Sequence, residues 1–546
     1  MIGFRSAPPR VELVNAFARP FDNAVATART CYSPKGVVTS ETVAGEHLSD
    51  PAERQRALQR RDLLARDIFQ AGHHTTFQHA HFQFALSNVS RQFIWSFLHS
   101  HPYYNSEQVS QRYVEVRPGN FLVPDLGGEP QRIYEEALGR ALEGYRRLTD
   151  RLVEPASSHF WHRFPARSRR PERWEKDIRK KAQEVARYVL PIATFSYLYH
   201  TISAITLLRY WRLCESMDAP AEQRLVVGMM LQEVLRVDPN YKQILEEPIP
   251  LEETIEQRFF LDGSVSSSEG PGPSSGEGRC RVSIREDRRR FREEFDGSLG
   301  GRLSVLVDYG ANNEAVLAQS VREVLGLPAG RLSDDEAIEL VLEPASNPYF
   351  GEKLNLTMMS KLTRALVHPH YTFRKRLSHT ADSQDQRHRN TPASRPCLPA
   401  YLFEEPDYIV PELVREEPAI LQEYRSSMEA AWEAIGRLRA AGVPDEIAAY
   451  LLPNAVTIRF TESADLMALH HKMAMRLCFN AQEEIWRATL EEALAVRQVN
   501  PRIGRHLLPP CGLRIRAGTS PWCPEGKRYC GVPVWQYDLA QYERVI

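Results

Sequence analysis

No stretch of the 546-residue chain stays apolar for the roughly 20 residues that a membrane-spanning helix needs. The opening Met1-Ile-Gly-Phe-Arg-Ser6 lacks the apolar core of a secretory leader. Neither sign of charge is in excess: 69 Lys and Arg stand against 70 Asp and Glu, which excludes wholesale attraction to nucleic acid or to an anionic membrane. Cysteine is sparse as well. Eight residues, mostly scattered, form no disulfide framework and fit a reducing compartment. The expectation is a soluble cytoplasmic protein whose partners include neither nucleic acid nor membrane. The chain is too long for one core and suits roughly two to four domains.

What is present is a pair of polar stretches in otherwise ordinary surroundings. The sharper one is Gln384-Asp-Gln-Arg387-His388-Arg389-Asn-Thr-Pro-Ala-Ser394-Arg395-Pro396. Guanidinium groups are always charged, rigid and bidentate, a geometry suited to phosphates and electron-rich heterocyclic edges. Taken alone the run reads as a solvated basic turn. The other stretch, His99 to Tyr113, offers Asn105, Glu107, Ser110, Gln111 and Arg112, a mixture of donors and acceptors that suits a nucleotide or sugar phosphate better than a metal. Alone it is an ordinary polar loop.

In chain order, residues 11–14 read as a short strand, 24–32 as a helix and 51–70 as a longer helix closed by Gly72. Phe82, Phe84 and Leu86 alternate with His81, Gln83 and Ala85, the period of a strand with one apolar face. His73, His74, His79 and His81 lie nearby. Their spacing and the lack of adjacent carboxylates favour packed or hydrogen-bonding histidines over metal ligands. Further helices are expected over 90–98, 130–162, 194–213 and 222–237, with a basic, solvated connection over 163–181. Residues 262–278 are low in complexity and rich in Gly, Ser and Pro, a flexible stretch that separates two halves.

The second half restates landmarks of the first. His79-Ala-His81-Phe82-Gln-Phe84 returns as His368-Pro-His370-Tyr371-Thr-Phe373. Ala186-Arg-Tyr-Val-Leu-Pro191 returns as Ala448-Ala-Tyr-Leu-Leu-Pro453, and Arg212-Leu-Cys214 as Arg476-Leu-Cys478. The expected division is a first domain over 1–250, a linker over 251–300, a second domain over 301–505 and a tail over 506–546. Cys511, Cys523 and Cys530 of the tail, with Cys478, are zinc-type ligands without a tight Cys-x-x-Cys pair, so no metal is expected.

These residues resemble the flavin-dependent thymidylate synthases, over most of the chain twice. The first half has Gly72-His73-x-Thr75, Gln78-His79, Ser110-Gln111-Arg112-Tyr113 and Glu184-x-Ala186-Arg187 before Leu190-Pro191. The second has the complete Gln384-Asp-Gln-Arg387-His388-Arg389, and Arg476 before Ala481-Gln482-Glu-Glu-Ile485. Counted back from Ser110, the first half reads Ser100-His101-Pro102 where Arg-His-Arg would stand. The second has Ala449 in place of Arg187 and a shortened Ser394-Arg395-Pro396. Neither half keeps the family's Asn-x-Arg: Ser203 and Ile205 stand in one, Asp465 and Met467 in the other.

The resemblance implies an α+β fold in two tandem copies, each an antiparallel sheet with packed long helices. It implies reductive methylation of dUMP to dTMP with FAD as cofactor and NADPH and methylenetetrahydrofolate as co-substrates. Substrate contacts carry over to Glu107, Ser110, Gln111, Arg112, Arg187, Gln384, Arg387 and Arg476, and Arg387 and Arg476 are the catalytic candidates. Cofactor contacts carry over to Thr75, Gln78, Asn105, Arg387, His388, Arg389 and His471. Because the two halves keep complementary sets, the expected sites lie between unlike halves, and a homodimer would rebuild a four-domain assembly. The alternative is a catalytically inactive nucleotide- or flavin-binding relative with a regulatory or scaffolding role.

Overall fold

A computed structural model of the chain describes residues 3–99, 101–216, 218–257 and 276–544. Ser100 and residues 262–275 of the Gly/Ser/Pro-rich stretch lie outside the described residues, and Gly276–Leu299 is helical.

Two four-stranded antiparallel sheets organise the two halves. The first holds β1 (Arg10–Ala16), β2 (His81–Ser90), β3 (Tyr104–Gln108) and β4 (Phe195–Ser203) in the order β1-β2-β4-β3. The second holds β5 (Ser304–Tyr309), β6 (His370–Ser378), β7 (Ala393–Ser394) and β8 (Thr457–Asp465) in the order β5-β6-β8-β7. His81 faces Ser203 as His370 faces Asp465, and Phe84 faces His200 as Phe373 faces Glu462. Identical order and matching register make this an α+β protein of two tandem copies.

Local chemistry explains the strands and their ends. Phe82, Phe84 and Leu86 are buried on one face of β2, as Tyr371, Phe373 and Leu377 are on β6. Each central strand then turns into a helix through a serine. The Ser90 hydroxyl accepts from Phe93 N at 2.9 Å and the Ser378 hydroxyl from Ala381 N at 3.1 Å, which caps the helices Arg91–His99 and His379–Asp385. Each serine is in turn held by a buried carboxylate. Ser90 N and Oγ donate to Glu222 at 2.8 and 2.6 Å, and Ser378 N and Oγ donate to Glu484, both at 2.6 Å.

One expected helix is corrected. Residues 194–213 form β4 followed by the short helix Ala204–Arg212. The run Phe-Ser-Tyr-Leu-Tyr-His-Thr-Ile-Ser is rich in aromatic and β-branched residues. It buries Ser196, Leu198, His200 and Ile202 at alternate positions while Tyr197 and Tyr199 stay exposed. A continuous apolar run does not by itself distinguish a buried helix from a central strand.

The halves are joined by backbone. Ile192 N donates to Leu452 O at 2.8 Å and Ala193 N to Tyr450 O at 2.9 Å; reciprocally, Asn454 N donates to Leu190 O at 2.8 Å and Ala455 N to Tyr188 O at 2.9 Å. The tyrosines cross the same junction: Tyr450 OH donates to Glu222 at 2.7 Å and Tyr188 OH to Glu484. The long helices Gly128–Arg163 and Pro418–Ala440 pack beside this exchange, and one hydrophobic core takes Leu142 and Leu148 from one and Tyr424 and Met428 from the other. Their approach is close enough that a Cβ added at Gly144 would lie 3.0 Å from Ser427 Oγ.

Burial pushes the Glu222 carboxyl up to about 7, against the pull of its hydrogen bonds from Ser90 and Tyr450. The folded state therefore keeps a proton that the unfolded chain gives up near 4.5. The stabilisation is complete below the unfolded value and is lost as pH rises through the folded one, by at most about 3 kcal/mol. Urea denaturation of the wild type is expected to show stability falling between about pH 5 and pH 8, and Glu222→Gln should flatten that slope. An unchanged slope in the variant rules out Glu222 as the titrating group.

Candidate active site

The junction brings the polar stretches of both halves together. From the first half come Gln111 and Arg112, in the turn after β3, and Arg187, at the end of the helix Glu175–Ala186. From the second come Gln384 on the helix His379–Asp385, the loop residues Arg387, His388 and Arg389, and Arg476 at the C-terminus of the helix Leu466–Arg476.

Contacts within and between the halves tie these residues together. Arg112 donates through Nε to Glu184 at 2.9 Å and through Nη2 to Asn480 O at 2.7 Å. Asn454 Nδ2 reaches Gln111 Oε1 at 3.2 Å and Arg187 O at 3.0 Å. Arg476 donates to His388 Nε2 at 2.9 Å and to Gln384 O at 2.7 Å. Gln384 Nε2 donates to Gln482, and Gln482 donates to Tyr188 OH. The chain Glu484–Tyr188–Gln482–Gln384 thus carries the junction into the site.

The electrostatics are those of an anion site. Arg187 is buried, donates through Nε to Glu184 O at 3.2 Å, and has Nη2 without a partner. Arg91, which opens the helix after β2, is pushed down to about 9 by burial and then by Arg187 and Arg387. Arg476 is pushed down to about 10 by burial, with Arg387 and Arg112 adding to the effect and Asp385 opposing it. Arginines of both halves therefore share one field. Glu184 joins them: burial works against its charge, yet Arg112, Lys181 and Arg187 hold its carboxyl down to about 2. Several cations with one committed carboxylate and an orphaned guanidinium donor suit a multiply charged oxyanion. His388 accepts from Arg476, and burial followed by the Arg476 charge drives its imidazole well below its ordinary range, so it stands neutral and orients that guanidinium.

Beside this cluster lies a cleft of about 570 Å³ lined by Gln78, His81, Tyr103, Tyr104 and Asn105 of the first half and Arg389 of the second. Arg389 donates to Pro102 O at 3.3 Å, and its guanidinium lies 5.3 Å from the centre of the Tyr104 ring. Ser110 stays beside the site, its hydroxyl accepting from Arg112 N at 3.3 Å. Thr75 is exposed outside the cleft lining, and Glu107 is exposed on β3 opposite Tyr199. His471 is exposed too; it takes a 3.3 Å contact from Asn355, and its ring is 6.0 Å from that of His388.

Three sequence correspondences are corrected. Strand register sets Ser394, facing Thr461, opposite the position that Tyr199 holds for Glu107, so Ser394 matches Glu107 and not Ser110. Arg395 is structural: it grips Asp382 with Nε at 2.7 Å and Nη2 at 2.8 Å, and Asp382 also accepts from Trp95 Nε1 at 2.7 Å. The spacing that superposes Tyr188 on Tyr450 and Glu222 on Glu484 puts Cys214 at the place of Arg476, while Arg212 matches Ala474 and forms a surface ion pair with Glu246. Counted from the capping serines, the first-half counterpart of Arg-His-Arg is residues 99–101, His-Ser-His. Both arginines are absent on either count. The links of Tyr188 and Asn454 were invisible in the sequence because their partners lie in the other half.

Comparison with known proteins follows this division. The family model described as "Thymidylate synthase complementing protein" matches residues 12–240 and again 305–502. A protein of Clostridium tetani named flavin-dependent thymidylate synthase is 27% identical over 234 residues, 42% of this chain and 84% of that protein. One of Geobacter sulfurreducens with the same name is 32% identical over 169 residues, 30% of this chain and 70% of that protein. Among solved structures, a UMP/dUMP methylase from Streptomyces cacaoi bound with 5-Br dUMP aligns at 22% identity with a TM-score of 0.31, covering 44% of this chain and 95% of that one.

Inorganic phosphate is expected to raise the melting temperature of the purified protein. In Arg187→Gln phosphate affinity should drop about tenfold or more, the worth of one charge-assisted hydrogen bond. Arg112 and Lys181 remain beside Glu184 in the variant, so it should still fold. Equal phosphate responses in the two proteins would exclude Arg187 from the anion site.

Proposed function

The chain belongs to the thymidylate synthase complementing protein family, and on that premise we propose that it methylates dUMP to dTMP in a flavin-dependent reaction at a site shared by its unlike halves. The observation that carries this reading is the meeting of Arg112 and Arg187 with Arg387 and Arg476, around a buried guanidinium donor that lacks a partner. A nucleoside monophosphate supplies the dianion such a cluster requires.

Each residue then has a role. Arg112, Arg187 and the Ser110 hydroxyl bind the phosphate, with Gln111 and Asn454 fixing the turn behind them. The Gln384 side-chain amide, set by Gln482, reads a polar edge of the uracil. Arg476, oriented by neutral His388, faces the uracil carbonyl and stabilises negative charge as C5 is activated. Arg387 is exposed and closes the site from the second half.

The cleft beside the cluster fits a flavin. It offers aromatic faces at Tyr103 and Tyr104, amides at Gln78 and Asn105, and a cation at Arg389. Bound there, FAD would supply the redox equivalents of the reaction, with NADPH as reductant and methylenetetrahydrofolate as carbon donor. Thr75, His388 and His471 complete the cofactor side in this reading. The protein would act in the cytoplasm, as two chains that rebuild a four-domain assembly.

A second reading is a binding-only relative. It is favoured by Ser203 and Asp465, which stand where the family has Asn-x-Arg and are used as helix caps, accepting from Thr206 N and Ala468 N. One experiment separates the two: an absorbance spectrum of the purified protein, an anaerobic dUMP titration, and an assay for dTMP. A flavin spectrum perturbed by dUMP is expected, with affinity down about 10- to 100-fold in both Arg187→Ala and Arg387→Ala. Tight dUMP binding without dTMP favours the second reading. Failure to carry or take up FAD removes the flavin reaction altogether.

A further inference from the structure

Half of the chain's eight cysteines line one small void. Cys478 lies just beyond the helix Leu466–Arg476, Cys511 lies on the helix Pro510–Arg516, and Cys523 and Cys530 belong to the segment that follows. Together with Pro509, Pro510 and Pro524 they line a void of about 10 Å³. That is about the space of one water-sized sphere, and far too small for an iron–sulfur cluster. All four are free thiols.

The wall of this void sets Asn480, Glu525 and Tyr529 beside the four sulfurs. Cys530 Sγ makes only a 3.7 Å contact with Val532 O. Four free thiols around one void form a cluster that a divalent cation would turn into thiolates. Among the described residues no three His, Cys, Asp or Glu side chains yet converge at ligand distances. Seating an ion in the void would therefore require the cysteine side chains to turn toward it. Cationic groups stand ready for the net charge of a tetrathiolate site: Arg167, which donates to Tyr529 O at 3.2 Å, acts on Cys530, and Arg544 acts on Cys478 and Cys530.

We propose that Cys478, Cys511, Cys523 and Cys530 bind a single structural zinc ion that pins the C-terminal segment onto the candidate active site. Soft sulfur ligands in tetrahedral number select zinc. Binding releases the thiol protons and involves no change of oxidation state. The site reaches the anion cluster in two steps: the C-terminal segment holds Asn480 through Asn480 Nδ2 to Arg528 O at 2.6 Å, and Asn480 O receives Arg112. The ion is thus a positioning element, and its presence does not depend on the reaction proposed above.

The test is metal analysis of the full-length protein purified with a thiol reductant. About one zinc per chain is expected, released when a mercurial titrates the thiols, and cobalt substitution should give the ligand-field and sulfur charge-transfer bands of a tetrahedral thiolate site. Cys523→Ser should lose the metal and expose residues after 509 to protease, whereas Cys31→Ser, exposed and remote, should keep it. The cobalt spectrum of the wild type decides the matter if Cys523→Ser fails to fold. Absence of zinc, a cystine among these four residues by mass spectrometry, bound iron with sulfide, or full zinc retention in Cys523→Ser would each overturn the proposal.

Discussion

Each half of the protein lends a tyrosine to the other's buried carboxylate. Glu222 and Glu484 hold the serines that start the helices after β2 and β6, and a carboxylate so deep in a core is tolerated only when its oxygens are supplied with donors. Tyr450 completes the first set and Tyr188 the second. Neither half supplies every donor to its own buried carboxylate, so two copies of one fold are bound into a unit at the place where their chains run antiparallel through Pro191 and Pro453. The candidate site grows from this exchange. Tyr188 passes order through Gln482 to Gln384, and Asn454, next to Pro453, seats Gln111 and Arg187.

Beneath that common frame the halves have diverged in chemistry. Under the Arg-His-Arg loop, Lys375 and Lys472 are fully buried with Asp385, Glu462 and Glu492 in one ionic cluster, including Lys375 to Asp385 at 2.6 Å and Lys472 to Asp385 at 2.9 Å. At the matching positions the first half has Leu86, Tyr210, Phe97, His200 and Met230, a largely aromatic and apolar packing. Removing five charged groups from water is costly, and such clusters are better at fixing one geometry than at adding stability. The cost falls where the loop carries arginines that must be aimed. Where the loop has lost them, ordinary packing suffices.

How far the sequence foretold this depends on the range of the interactions. Phe82, Phe84 and Leu86 declared a strand because alternation is a local property. The helix of residues 51–70 was equally plain, bounded by Asp50 as cap and by Gly72. The stretch 194–213 misled because its apolar run hides the partner strands on either side, which only the fold supplies. Arg387 and Arg187 stood out through their neighbours in sequence. Arg395 stood out for the wrong reason, since its partner Asp382 was already present in the sequence but nothing local joined the two. Arg212 and Arg476 shared two flanking residues and still occupy different places, because short matches carry no register. Tyr188 meets Glu484 and Gln482 only across the two halves, and no window along the chain contains both sides.

Fusion gives this asymmetry a physical rationale. In an assembly of identical subunits, one sequence must furnish both sides of every interface, so each arginine needed on one side is also buried, at some cost, on the other. Two halves in one chain remove that constraint. Ala449 stands where Arg187 would repeat, Cys214 where Arg476 would, and no arginine stands at residues 99–101 where Arg387 and Arg389 would. Each replacement spares the fold a desolvated cation at a place with no anion to meet it, as Arg187 with its unpartnered Nη2 illustrates on the retained side. The arginine losses are complementary, one set kept in each half with the retained sets facing each other across the tyrosine exchange, whereas the Asn-x-Arg positions are Ser203 and Ile205 in one half and Asp465 and Met467 in the other.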